Sequence, residues 1–300
     1  MRLFRRSLDL ALAAPRAASP DDLNAVSRLL SHSAHRFTGF PGVDLPALLA
    51  AAPAMLLVAG GEVWAAAIAG WRSDATTWIR ALALADGLLV GPAMDALLPP
   101  FHELLRTQGL RQVFYAGDEA ADIWIQPALS TRGYTRETDV VVYEKKQLDV
   151  PARGNRTVRV RRAQPVDLPA ILRVDQDCFA PQWNKDEDIL GTSIFEVPYF
   201  VVAEQDDTIV GYAFATAHYD GQLIHLVRIA VLAAYQGQAI GVRLLADLVE
   251  WARAHGADVL TLNTQAHNSA AQRLYEWFGF ERTGERQTVL RFDLGQRRFD

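Results

Sequence analysis

Residues Leu226-Val227-Arg228-Ile229-Ala230-Val231-Leu232-Ala233-Ala234-Tyr235-Gln236-Gly237-Gln238-Ala239-Ile240-Gly241, with their continuation to Phe280, decide how this chain is read. The apolar run Leu226 to Val231 is a strand that enters a turn of small residues, and from Ile240 onward the pattern is that of an amphipathic helix. Such a turn favours phosphate. Successive backbone N–H groups in a short loop converge on an anion, and the unsatisfied donors and dipole of the following helix add to the attraction. Taken alone the turn is weak support, because many strand-to-helix turns carry glycine for steric reasons.

After the helix come a second apolar strand, Val259 to Thr264, and the segment Asn268-Ser269-Ala270-Ala271-Gln272-Arg273-Leu274-Tyr275-Glu276-Trp277-Phe278-Gly279-Phe280. Together these residues closely resemble the GNAT superfamily of acyl-CoA-dependent N-acyltransferases. In that family a Gln/Arg-x-x-Gly-x-Gly/Ala loop holds the coenzyme A pyrophosphate, and an Asn, followed seven residues later by Tyr and then Gly-Phe, closes the acyl-CoA site. Gln236, Ala239 and Gly241 stand at the loop positions, with Asn268, Tyr275, Gly279 and Phe280 after them. The resemblance extends over roughly residues 157 to 294. Ala239 replaces the usual first glycine, and a positive φ there would strain an alanine.

A weak internal repeat, offset by about 145 residues, extends the reading to the whole chain. Ala18-Ser19-Pro20-Asp21-Asp22-Leu23 matches Ala163-Gln164-Pro165-Val166-Asp167-Leu168, and Arg132-Gly133-Tyr134 with the strand Val140 to Tyr143 matches Phe278-Gly279-Phe280 with the strand Val289 to Phe292. Strands near 55–59, 63–70, 78–83 and 112–116 and a helix near 93–108 mirror strands near 158–162, 199–205, 209–218 and 222–231 and helices near 165–179 and 240–255. The expected fold class is α/β (α+β): two tandem GNAT-like domains, each a mixed, mostly antiparallel sheet flanked by helices. The expected division is 1–150, a degenerate copy, and 151–300, the acetyl-CoA-binding copy, with the hydrophilic segment Lys145 to Arg156 as linker. In the first copy Asp86 to Met94 lacks the loop pattern, Pro92 removes a donor, and Asp122 and Leu129 fall where Asn268 and Tyr275 stand in the second.

Composition narrows the rest. Of 300 residues 50% are hydrophobic and 22% charged, as in an ordinary globular protein of two domains. A net charge of −5 gives no general pull toward nucleic acid or anionic lipid, and the single cysteine, Cys178, excludes an intrachain disulfide. No spacing suggests a metal site. Met1 to Arg6 followed by Leu8 to Ala14 has a basic-then-apolar order, but Asp9 interrupts a short run, so a surface helix or frayed leader is expected, and the chain is placed in the cytoplasm with no membrane span. A monomer or homodimer is expected.

The resemblance implies acetyl-CoA as co-substrate and a small-molecule or peptide amine as acceptor. It places Tyr275 beside the sulfur as a proton donor to the departing thiolate, whereas the residues without the resemblance favour a core tyrosine on the buried face of the helix. It assigns Asn268 to the pantetheine arm, a role compatible with helix N-capping. Backbone groups at Ile229, Ala230 and Val231 would meet the pantetheine amides, and Gln236, Gly237, Gln238, Ala239, Ile240 and Gly241 the pyrophosphate. His225 is the candidate base, or a hydrogen-bonded structural histidine. Asn263 stands where members acting on ribosomal-protein N-termini often have a glutamate base, and it cannot take that proton. Phe179 and Trp183 are expected to contact the acceptor, and Asp186, Glu187 and Asp188 are read as a solvated acidic turn in preference to an attractor for an ammonium substrate.

Overall fold

The computed structural model describes residues 8–39 and 44–295. In chain order the first half holds β1 (Ala14–Ala17), α1 (Leu23–His32), β2 (His35–Thr38), α2 (Leu45–Ala51), β3 (Ala54–Ala59), β4 (Glu62–Ser73), β5 (Thr76–Leu84), α3 (Val90–Thr107), β6 (Gln112–Ala116), α4 (Glu119–Ser130) and β7 (Thr135–Lys145). The second half holds β8 (Arg159–Arg162), α5 (Leu168–Cys178), α6 (Glu187–Glu196), β9 (Tyr199–Gln205), β10 (Thr208–His218), β11 (Leu223–Val231), α7 (Ile240–Ala254), β12 (Val259–Gln265), α8 (Ser269–Trp277) and β13 (Glu281–Asp293). Residues 1–7 of the expected leader lie outside the described residues. Of its apolar part only Leu10–Leu12 is helical, a single 3-10 turn started by the Asp9 carboxylate accepting from the Ala11 amide.

Two compact units emerge, one of residues 1–138 with 287–300 and the other of 139–286. The first has strand order β1-β3-β4-β5-β6-β13 with β2 against β5; the second has β7-β12-β11-β10-β9-β8. The β5–β6 and β11–β12 pairs are parallel and the other recorded pairs antiparallel, so each sheet is mixed and mostly antiparallel, flanked by helices. The division at 150/151 follows chain order, whereas space follows a strand exchange. Val289 to Asp293 pair with Ala116 to Gln112 in the first unit, and Val140 to Lys145 pair with Gln265 to Leu260 in the second. The exchange carries side chains with it. Phe292 lies on His102, ring centres 4.2 Å apart, and Tyr143 faces Tyr275 at 6.1 Å. Sequence periodicity does not register this, because both strands end their own repeat and have the same pattern.

Local chemistry repeats where the sequence does. Asp22 and Asp167 each accept from the amide three residues back and pair with an arginine six residues earlier, Arg16 at 2.6 Å and Arg161 at 2.7 Å. In the second unit β9 is apolar at nearly every position because both its faces are covered. Tyr199, Val201 and Ala203 join the core with Leu244, Leu245, Leu248 and Val249 of α7, while Phe200 and Val202 meet Ile171, Val174, Leu190 and Ile194 of α5 and α6. Each Val, Leu, Ile or Phe side chain among them contributes about 1.5–3 kcal/mol by leaving water, which fixes α7 and hence the loop before it.

Candidate functional site

β11 and β12 lie side by side only from Leu223 opposite Val259 to Leu226 opposite Leu262. Beyond that point β12 keeps its partner on the far side, Asn263 to Gln265 facing Val142 to Val140, and β11 stays on β10, with Ile229 opposite Ala213 and Val231 opposite Gly211. Val227 is an extra residue there, since Phe214 faces Arg228 and Ala215 faces Leu226. A bulge of this kind bends the strand and increases its twist, which carries β11 away from β12. The facing edges of residues 227–231 and 263–265 therefore have peptide groups outside any ladder; side chains meet the Val231 carbonyl, and groups without such a partner need water or a ligand. Ile229, Ala230 and Val231 all lie on that stretch.

The loop follows directly. Residues Ala233–Tyr235 make one 3-10 turn, Gly237 has φ 76°, and Ala239 sits at φ 57°, ψ 25°, immediately before α7. The strain foreseen for an alanine is thus present, about 1–2 kcal/mol relative to the right-handed region. Ile240 is fully buried and anchors the helix start. At Gly241 a Cβ would lie 3.4 Å from the end of the Leu274 side chain, a close but ordinary contact between α7 and α8. The amides of the first helical turn remain without intrahelical acceptors, as at every helix start. The Gln236 side chain turns back, its Nε2 donating to the Val231 carbonyl at 3.1 Å, and Gln238 offers its carbonyl to Asn155 Nδ2 at 3.0 Å. Asn155 also donates its amide to the Ala239 carbonyl at 3.1 Å. The linker residue Asn155 is thus a clasp on the loop, which its position in a hydrophilic connector did not reveal.

On the other wall, Asn268 caps α8 by accepting from the Ala271 amide at 3.2 Å, and this leaves its Nδ2 available. Tyr275 is 6% exposed, and burial pushes its phenol above the ordinary tyrosine value, so the proton stays on at neutral pH. No hydrogen bond occupies its hydroxyl among the described residues. Tyr143, brought in by the exchanged strand, donates to Glu276 Oε1 at 3.0 Å and accepts from Arg282 Nε at 2.8 Å beside it. His225 lies on the closed, paired part of β11, its Nδ1 2.9 Å from the Thr261 hydroxyl. Burial pulls its pKa from 6.5 to about 4, so the ring is neutral and a weak base.

The acceptor-side residues converge on a group that sequence reading passed over. Arg228, 8% exposed, stacks on the Phe179 ring at 3.9 Å, donates from Nη2 to the Trp183 carbonyl at 2.5 Å and pairs with fully buried Asp175 at 3.5 Å. The Tyr212 hydroxyl also donates to Asp175. An arginine inside an apolar strand was the available signal, since a buried cation demands partners. Phe179 and Trp183 are therefore brought together, though through the ring of one and the backbone of the other. Asp186, Glu187 and Asp188 are all exposed, as expected of a solvated acidic turn, and that turn starts α6: the Asp186 carboxylate accepts from the Ile189 amide at 2.8 Å, with Glu187 and Asp188 in the first turn where the helix dipole favours them. The Cys178 thiol bonds to the Val231 carbonyl at 3.2 Å and burial raises its pKa to about 11, which leaves it unreactive.

The first unit differs at each point. β5 and β6 pair only from Thr76 opposite Gln112 to Trp78 opposite Phe114, but the freed edge of β5 is taken by β2, Thr38 to His35 lying opposite Ala81 to Leu84. Phe37 packs edge-on against Tyr115 at 5.1 Å. Before α3 the cap residue Leu89 provides no side-chain acceptor. The position equivalent to the Asn268 cap is Asp118, which accepts from the Ala121 amide at 2.7 Å, not Asp122. The fixed offset misaligned them because α4 has 12 residues and α8 has 9. Counted from the cap, Ile125 replaces Tyr275; counted from Gly133, Leu129 does, and both are fully buried. Among the described residues no group of His, Cys, Asp or Glu could hold a metal ion, and no helix is long and apolar enough to cross a membrane.

Residues 168–280 match the model of the Acetyltransferase (GNAT) family. The chain is 29% identical over 130 residues to the putative [ribosomal protein bS18]-alanine N-acetyltransferase of Bacillus subtilis, covering 43% of this chain and 83% of that protein. It is 34% identical over 85 residues to mouse N-acetylaspartate synthetase, but spans only 28% of that protein's length, the same share as of its own. A tandem GNAT protein from the clavulanic acid biosynthesis pathway shares the fold over 95% of this chain and 99% of its own, with a TM-score of 0.62 at 17% identity.

Proposed function

Because residues 168–280 belong to the acetyltransferase (GNAT) family, we propose that the chain transfers an acetyl group from acetyl-CoA to a primary amine of a small molecule or peptide, directly, in a ternary complex at the second unit. The observation that carries this reading is the parting of β11 from β12 beyond Leu226 and Leu262, with the loop 236–241 at the end of one strand. Acetyl-CoA would supply an acyl group already activated as a thioester. Those peptide groups of residues 229–231 that have no protein partner would hold the pantetheine arm, and the amides of the loop and first turn of α7 the pyrophosphate. Asn268 Nδ2 would donate to the arm while its oxygen caps α8. The protonated Tyr275 hydroxyl would donate to the leaving sulfur, the step at which charge develops.

Proton removal from the amine is the weaker half of the chemistry. His225 is neutral and able to accept, but a base near pKa 4 has little pull on an ammonium, so the acceptor must arrive largely unprotonated. Asn263 offers no base, so a mechanism resting on a carboxylate at that strand position is not available to this chain. That weak base and the strained Ala239 also favour a second reading, a non-catalytic acyl-CoA-binding sensor or scaffold.

Calorimetric titration with acetyl-CoA should give one equivalent per chain, and a panel of primary amines should reveal turnover. Tyr275→Phe should lower kcat by about 10²–10⁴-fold with little change in coenzyme affinity, the range for a positioned proton donor. Binding without turnover on any amine would favour the sensor, and no binding would remove both readings.

A further inference from the structure

We propose that the segment joining the two repeats is part of the coenzyme site, with Arg153, Arg156 and Arg243 forming the seat of a phosphate monoester, the one carried on the ribose of coenzyme A. The inference rests on the coenzyme-binding reading above. These arginines, with Val158, line a cleft of about 510 Å³. Its place is set by the clasp: Asn155 bonds to the carbonyls of both Gln238 and Ala239, and the Arg243 amide donates to that same Ala239 carbonyl at 3.1 Å. Gly154, at φ +66°, lies so close to the first turn of α7 that a Cβ would collide with the Arg243 amide and the Ala239 carbonyl. The backbone between Arg153 and Arg156 is thereby held against the end of the loop, and both guanidinium groups border the same cleft as Arg243.

The charge is in excess. Arg153 pairs with Glu250 at 3.1 Å, and Arg243 approaches Asp247 at 4.0 Å, a carboxylate that also accepts from the Tyr199 hydroxyl at 3.0 Å. Arg156 is exposed and has no carboxylate partner among the described residues. Three cations against two carboxylates, on a chain whose net charge is −5, make a local site for an anion. Main-chain amides suffice for a pyrophosphate diester, but a monoester near two negative charges needs full countercharge, and the planar guanidinium fork matches its oxygens.

The test is calorimetric titration of the full chain with coenzyme A and with dephospho-coenzyme A, which lacks only that phosphate. Coenzyme A should bind about 10–100-fold more tightly, the scale of one or two charge-assisted hydrogen bonds. In the Arg156→Ala/Arg243→Ala variant the ratio should fall to within about twofold while dephospho-coenzyme A keeps its affinity. The exposed single variant Arg156→Glu, least able to disturb folding, should reduce the ratio further than Arg156→Ala. Equal affinities for the two coenzymes in the unaltered protein would overturn the seat and leave the coenzyme reading standing. Equal weakening of both by the variants would show that the arginines only support the loop, and failure of both coenzymes to bind would overturn seat and reading together.

Discussion

In the first unit β5 and β6 part after Trp78 and Phe114 and β2 occupies the freed edge, while in the second β11 and β12 part after Leu226 and Leu262 and no described strand occupies theirs. The same topology thus yields a closed sheet in one case and a row of spare peptide groups in the other. The difference is more than the loss of a few side chains. Restoring a tyrosine at Ile125 or Leu129 would leave the first unit's edge hydrogen-bonded to its own strand, since backbone donors and acceptors already paired have little to offer a ligand.

The strongest challenge to this comparison targets the filler. Phe37 is 4% exposed and packs on Tyr115, so Phe37→Ala should destabilise the protein by about 3–5 kcal/mol in denaturant unfolding. Coenzyme stoichiometry should stay at one, because the turn before α3 lacks the loop. A second bound equivalent in this variant would mean that β2 alone closes the first unit.

A middle-sized effect separates the two buried histidines. His225 titrates near 4 and His102 near 3, both lowered chiefly by burial, against 6.5 for an exposed ring. As pH falls below about 6.5 the unfolded chain takes up these protons before the folded one does, so stability should decline, the contribution of His225 flattening near 4 and that of His102 continuing toward 3. His225→Gln should remove its share of the slope between about pH 6 and 4 in unfolding measurements. If His225 is the base, kcat/KM should break near 4 and not near 6.5, and a break near 6.5 would assign the base elsewhere.

The smallest effect sharpens the description of the open site. Ala239→Gly relieves a left-handed alanine and should raise stability by about 1 kcal/mol, with coenzyme affinity equal or better. A lower affinity would show that the alanine, held by Asn155, is stiffened to advantage.

Much of the fold was legible. The strand at 199–205 and the helix starting at Ile240 came from apolar periodicity, and the paired Asp22 and Asp167 starts came from short motifs whose partners lie within six residues. α6 was missed although Asp186 and its acidic neighbours had the signature of a helix start, because ten residues of mixed pattern, from Glu187 to Glu196, gave no clear stripe. In the candidate site, loop, cap and tyrosine were legible as a linear order. Arg228, Tyr143 and Asn155 were not, since each matters through a residue far away in the chain: Asp175, Tyr275 and Ala239.

By itself the sequence determined what local interactions determine: most of the strands and the longer amphipathic helices, where two repeats begin and end, which repeat retains the loop, and that Ala239 would be strained at a positive φ. Only the tertiary structure decided which repeat receives each terminal strand, that β2 fills one gap, that a bulge at Val227 opens the other, and that a linker asparagine clasps the loop. The physical reason is that strand pairing is read from peptide groups identical in every residue, so two strands of the same pattern are interchangeable until loop lengths, bulges and packing choose between them.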